Sequence, residues 1–79
     1  MKLVIQSFQS KHEYTVDWIQ LVTPQGTRTI FSEHEPTLMT LVPHQEYRYQ
    51  ISAGAMVAAY TTQGIVEITR DTVTMLLQE

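Results

Sequence analysis

Residues 16–43 read VDWIQLVTPQGTRTIFSEHEPTLMTLVP, and the rest of the chain is organised around this stretch. Val16 to Thr23 is rich in β-branched and aromatic residues, which suit a pleated, half-buried surface. Pro24-Gln25-Gly26 breaks the run. Proline presets one backbone angle and glycine accepts a positive one, so a tight turn is expected. A short return strand, Thr27 to Phe31, leads into the polar segment Ser32-Glu33-His34-Glu35-Pro36, with at most a helical turn around Pro36 to Met39. The apolar Leu38, Leu41 and Val42 precede a second break at Pro43. Val16, Ile19 and Leu21 cannot share one face at a strict period of two, so a bulge is expected near Asp17-Trp18.

The same grammar holds on both sides. Leu3-Val4-Ile5 and Phe8 form a first strand ending near Ser10-Lys11, and His12 to Val16 alternates with Tyr14 and Val16 on one face. Downstream, Tyr47, Tyr49 and Ile51 alternate with Glu46, Arg48 and Gln50, a half-exposed strand. Ala53-Gly54-Ala55 makes a hairpin-like break. Met56 to Thr62 is small and apolar, with Ala58-Ala59 inviting close approach of another layer. Gly64 marks a bulge or kink, Arg70-Asp71 a turn, and Thr72 to Leu77 a last strand with Val73, Met75 and Leu77 inward. Short strands with turn signals every few residues predict an all-β fold: a small sandwich or flattened barrel of about eight to ten short strands.

At 79 residues the chain is a single domain, residues 1–79, that buries only roughly 60–65% of its unfolded surface. It has no cysteine, so neither disulfides nor thiolate metal sites reinforce it. Its five cations, Lys2, Lys11, Arg28, Arg48 and Arg70, are scattered and its net charge is −3, which argues against nucleic acid as a partner. No apolar run approaches the roughly 18 residues of a membrane span, so direct membrane insertion is not expected.

Catalytic chemistry finds little purchase. Glu33, His34 and Glu35 are sequence neighbours that point to alternate sides of an extended chain, a poor arrangement for a metal or a general base. They read as a turn fixed by Pro36. His12, His34 and His44 would make a metal site only if the fold gathered them, and their spacing carries no metal signature. None of Ser7, Ser10, Ser32 and Ser52 sits in a Gly-x-Ser-x-Gly elbow, and the three glycines are too far apart to cradle phosphate. Trp18, Tyr14, Tyr47, Tyr49 and Tyr60 could make a stacking platform like that of single-strand binders, but most of them read as core, and any aromatic left exposed as a protein contact. No catalytic residue, metal or cofactor is expected.

The ordered set of features resembles the amino-terminal β-sandwich domain of the ε subunit of rotary ATP synthases, called δ in mitochondria. The residues that carry the resemblance are the opening MKLVIQSF, the turn after Thr23-Pro24, His34-Glu35-Pro36, Leu41-Val42-Pro43, the segment Tyr60 to Ile68, and Asp71 to Leu76. Three family glycines are replaced, by Glu33, His44 and Gln63. The resemblance implies a non-catalytic rotor subunit of the central stalk, which links the γ subunit to the polar loops of the membrane c-ring and supports energy coupling. It also implies a peripheral position on the cytoplasmic face of a bacterial membrane. The two regulatory helices that many members carry have no room here, so the sheet domain alone is expected, with no binding of ATP. By correspondence, Gln25, Gly26, Thr27 and Arg28 fall on the loop that touches the c-ring, and Ser10, His34 and Met39 on the γ-facing surface. The alternatives are a free-standing β-sandwich protein-binding module, and a small β-barrel hydrolase or metal protein.

Overall fold

The computed structural model describes residues 1–32 and 35–78, and among them every regular element is a strand. The order is β1 (Lys2–Gln6), β2 (Lys11–Thr23), β3 (Gly26–Phe31), β4 (Thr37–Leu41), β5 (Glu46–Ile51), β6 (Met56–Tyr60), β7 (Gly64–Ile68) and β8 (Thr72–Leu77). Pairing runs β4-β7-β8-β1-β2-β5-β6, with β3 also on β2. Every pair is antiparallel except β1 with β8.

The 13-residue β2 belongs to both layers. Lys11–Thr15 pairs with β1, and the remainder pairs with β3 and β5. The register on β5 shifts between Val16 and Trp18, which is the expected bulge. The extra residue turns Val16, Ile19 and Leu21 to one side, and all three are buried. What reads as two strands in the sequence, His12–Val16 and Val16–Thr23, is therefore one bent strand that carries the chain from layer to layer.

The core lies between the layers. Leu3, Val66, Ile68, Val73 and Met75 come from one side, and Val16, Ile19, Leu21, Ile30, Tyr47 and Tyr49 from the β2–β3–β5 side. The Tyr49 ring adjoins both Tyr14 and Tyr47, with ring centroids 5.4 Å and 6.1 Å away. Burial, then the neighbouring Tyr14, pushes the Tyr49 phenol up to about 12.

Four local expectations need correction. β1 stops at Gln6, and Phe8 is 92% exposed, because Ser7 and Ser10 close a turn there: the Ser7 N–H donates to the Ser10 carbonyl at 2.8 Å. Thr37–Met39 is strand and not a helical turn, since β7 offers it a full antiparallel partner. Of Ala58 and Ala59 only Ala59 meets the other layer, half-buried against the core, while Ala58 is exposed. Gly64 opens β7 without a register shift on either side. Its requirement is closeness, because a Cβ there would collide with the Leu76 carbonyl oxygen.

Candidate interaction surfaces

The β2–β3 hairpin is the best-built of the candidate sites. Thr23 pairs with Gly26, and Gly26 takes φ 114°, a value that side chains rarely allow. The buried Thr23 hydroxyl donates to the Gly26 carbonyl at 2.9 Å and accepts from the Gln25 N–H at 3.3 Å. Together with Pro24 this fixes the loop from below, while Gln25, Gly26, Thr27 and Arg28 all face solvent. Arg28 has no ion-pair partner among the described residues. A rigid tip with an uncommitted guanidinium is suited to hydrogen bonds with carboxylates, carbonyls or amides of another molecule.

The γ-assigned residues are dispersed. Ser10 lies in the β1–β2 turn, its N–H on the Ser7 hydroxyl at 3.2 Å and its own hydroxyl 3.1 Å from that of Ser7. Met39 lies on β4, with β7, β8 and β1 intervening in the sheet, and is half-buried against the core beside its partner Val66. The outward residue of that strand is Leu38, 67% exposed. His34 lies outside the described residues. Ser10 and Met39 thus belong to elements that are not hydrogen-bonded neighbours in the sheet.

The histidines give no metal centre in the part of the chain described. His12 stacks on Tyr14 at the start of β2, and the His44 N–H donates to the Thr61 carbonyl at 2.9 Å. Among the described residues no group of three or more potential ligands is arranged to hold a metal.

Several surface residues escaped the sequence reading. On the outer face of the β3–β2–β5–β6 layer, Phe31, Trp18, Gln50 and Met56 stand opposite one another in register. Phe31 is 58%, Met56 53% and Tyr60 72% exposed. The other outer face carries Leu38, Ile65 and Leu76, next to a depression of about 430 Å³ lined by Thr40, Gln63, Gly64 and Gln78 among others. The only signal for these in the sequence was alternation: each occupies the off-phase position of its strand.

What the fold and these surfaces define is a two-layered β-sandwich with exposed apolar groups on both outer faces. The sequence matches the family model described as the ATP synthase, Delta/Epsilon chain, beta-sandwich domain over residues 4–79, and the chain belongs to that family. Among solved structures it is similar to a chain of the central stalk and c-ring of the Tetrahymena thermophila mitochondrial ATP synthase, with a TM-score of 0.85 and 13% identity. That likeness covers 100% of this chain and 63% of the other. It is also similar to a chain of the Euglena gracilis mitochondrial ATP synthase OSCP/F1/c-ring assembly in rotational state 1, with a TM-score of 0.83 and 16% identity. There it covers 95% of this chain and 48% of the other. At such identities the likeness is one of fold, and this chain spans less than two thirds of either relative. No curated protein matches the sequence.

Proposed function

We propose that the chain is a central-stalk rotor subunit of a rotary ATP synthase, joining γ to the polar loops of the c-ring and working without catalytic groups of its own. The observation that carries this reading is the family match over residues 4–79. A torque-bearing connector needs rigidity and matching surfaces, and a sandwich with an interlocked core and a braced hairpin provides both. On this reading the tip Gln25–Arg28 faces the ring, with Arg28 as its hydrogen-bonding group. The γ surface includes Ser10, where the neighbouring Phe8 offers an apolar anchor, together with Met39 and His34. The protein is peripheral to the membrane and, in a bacterium, sits on its cytoplasmic side.

The test is capture of purified cognate γ by the isolated chain, followed by binding to detergent-solubilised c-ring once γ is bound. Wild type should capture γ, and Arg28→Glu should do so equally well while loosening the ring. Failure of the wild type to bind γ would sink the stalk reading and favour a free-standing module.

A further inference from the structure

β6 is the least guarded edge of the sandwich. On its inner side the Ile51 N–H donates to the Ala55 carbonyl at 3.1 Å and the Thr61 N–H to the Gln45 carbonyl at 2.8 Å. Successive residues of an antiparallel strand direct their N–H and C=O to alternate sides. Tyr49 with Val57 and Tyr47 with Ala59 therefore take the intervening bonds. The N–H and C=O of Met56, Ala58 and Tyr60 point away from β5, and β6 ends the strand order, so no described strand meets them. The side chains of the same three residues stand exposed on the outer face.

Sheet edges in folded proteins are usually blunted by charge, proline or a bulge. β3 carries Arg28. β4 is bracketed by Pro36 and Pro43, and the Val42 N–H just beyond it is bonded to the Val22 carbonyl at 3.2 Å. β6 has no such device. From Tyr49 to Val66 there is no charged residue and no proline, the longest such run in the chain. An edge of this kind pairs with whatever strand reaches it.

The size of the edge bears on the occupant. A second copy would pair antiparallel about Ala58, setting Met56 opposite Tyr60. A five-residue strand is about 17 Å long and a sheet about 10 Å thick, so this strip covers only about 170 Å² per partner. A stable interface needs about 800 Å² per partner. A partner that adds a strand must therefore also reach over the outer face, where the row Phe31, Trp18, Gln50 and Met56 continues inward from the edge. Polar ring loops do not suit an uncharged edge beside an aromatic row. An extended strand with small or apolar residues at alternate positions does.

We infer that β6 accepts an extended strand of the γ-type partner, which enlarges the β3–β2–β5–β6 layer by one strand while the same partner covers the Trp18–Phe31 row. This rests on the stalk reading. The test is amide hydrogen exchange by NMR on the full chain, alone and with purified cognate γ. In the complex the amides of Met56, Ala58 and Tyr60 slow by about tenfold or more, while those of Val57 and Ala59, already bonded to β5, change less. Ala58→Pro removes an N–H that β5 does not use and weakens γ binding about tenfold, the scale of one lost main-chain bond. If that variant fails to fold, Ala58→Lys places a charge on the same edge and gives the same weakening. A complex of normal affinity with the three amides still exchanging freely overturns the inference and leaves the stalk reading standing. Absence of any complex removes both. Alternating protection in the chain alone, with a dimer by sedimentation, overturns it in favour of self-pairing.

Discussion

β6 and β7 follow each other in the chain, have the same length, and read alike as short apolar segments, MVAAY and GIVEI. Their surroundings differ completely. β7 lies between β4 and β8, buries Val66 and Ile68, and has no room for a Cβ at Gly64. β6 has one neighbour among the described strands and leaves Met56, Ala58 and Tyr60 in solvent. An apolar side chain stabilises a sandwich when a second layer closes over it. Otherwise it is a surface for something else. Composition does not distinguish these cases, and strand neighbours do.

The contrast is sharpest at Gly64. Gly64→Ala should cost about 2–4 kcal/mol or prevent folding, because its neighbour is a backbone carbonyl that cannot swing aside. Denaturant unfolding measures this, and a wild-type midpoint would show that β7 is as loosely held as β6. Ile68→Ala, which opens a cavity under the same strand, should cost about 2–5 kcal/mol in the same assay.

Between these extremes lies the turn that feeds β6. Ala53 sits at φ 57°, a left-handed conformation that costs an L-residue about 1–2 kcal/mol. Ala53→Gly should therefore raise stability, by about 1 kcal/mol or less once the freer unfolded chain is counted. A lower melting temperature would mean that the Ala53 methyl makes a contact worth more than the strain. On β6 itself, Ala58→Lys should change unfolding by no more than about 0.5 kcal/mol, as exposed positions do. A large loss there would break the comparison outright.

The smallest effect belongs to an exposed ion pair. Lys2 Nζ lies 2.9 Å from Glu13 Oε1, and this hydrogen bond, then the Lys2 charge, lowers the Glu13 carboxyl below its ordinary 4.5. A carboxylate lowered on folding contributes stability above its unfolded value and loses it as the pH falls through the folded one. Acidification below pH 4.5 should thus erase a small increment that Lys2→Met removes at every pH. Melting curves of the two proteins should converge in acid.

Much of the fold was legible because the physics is local. The alternation of Tyr47, Tyr49 and Ile51 located β5 and its inner face, and the misfit of Val16, Ile19 and Leu21 to a period of two revealed the bulge. Pro24 and Gly26 announced a turn whose geometry needs them. His44 is instructive in the other direction: it stands where the resemblance implies a glycine, and it takes a left-handed φ of 62°. Thr61 holds this turn, its hydroxyl donating to the Val42 carbonyl at 2.8 Å. A side chain is held in this left-handed turn because partners elsewhere fix it.

Phe8 was misread because hydrophobicity alone suggested a longer first strand, whereas the Ser7–Ser10 turn ends it and leaves the ring outside. Met39 falls on the γ-facing surface by correspondence. Its phase on β4, with Leu41 buried and Leu38 and Thr40 exposed, turns it inward. The geometry around the candidate residues was legible only where one turn contains them all, as at Gln25–Arg28. Ser10 and Met39, far apart in sequence, required the strand order to say whether they meet.

The sequence by itself determined the strand content, the bulge in β2 and the hairpin at Pro24–Gly26, because these depend on side-chain period and on backbone angles that one or two residues set. Only the tertiary structure decided that β1 lies parallel to β8, that β7 is central while β6 is an edge, and that Phe31, Trp18 and Met56 share a row. Those outcomes depend on which strands find each other across many residues of intervening chain, and a period of two is indifferent to the partner.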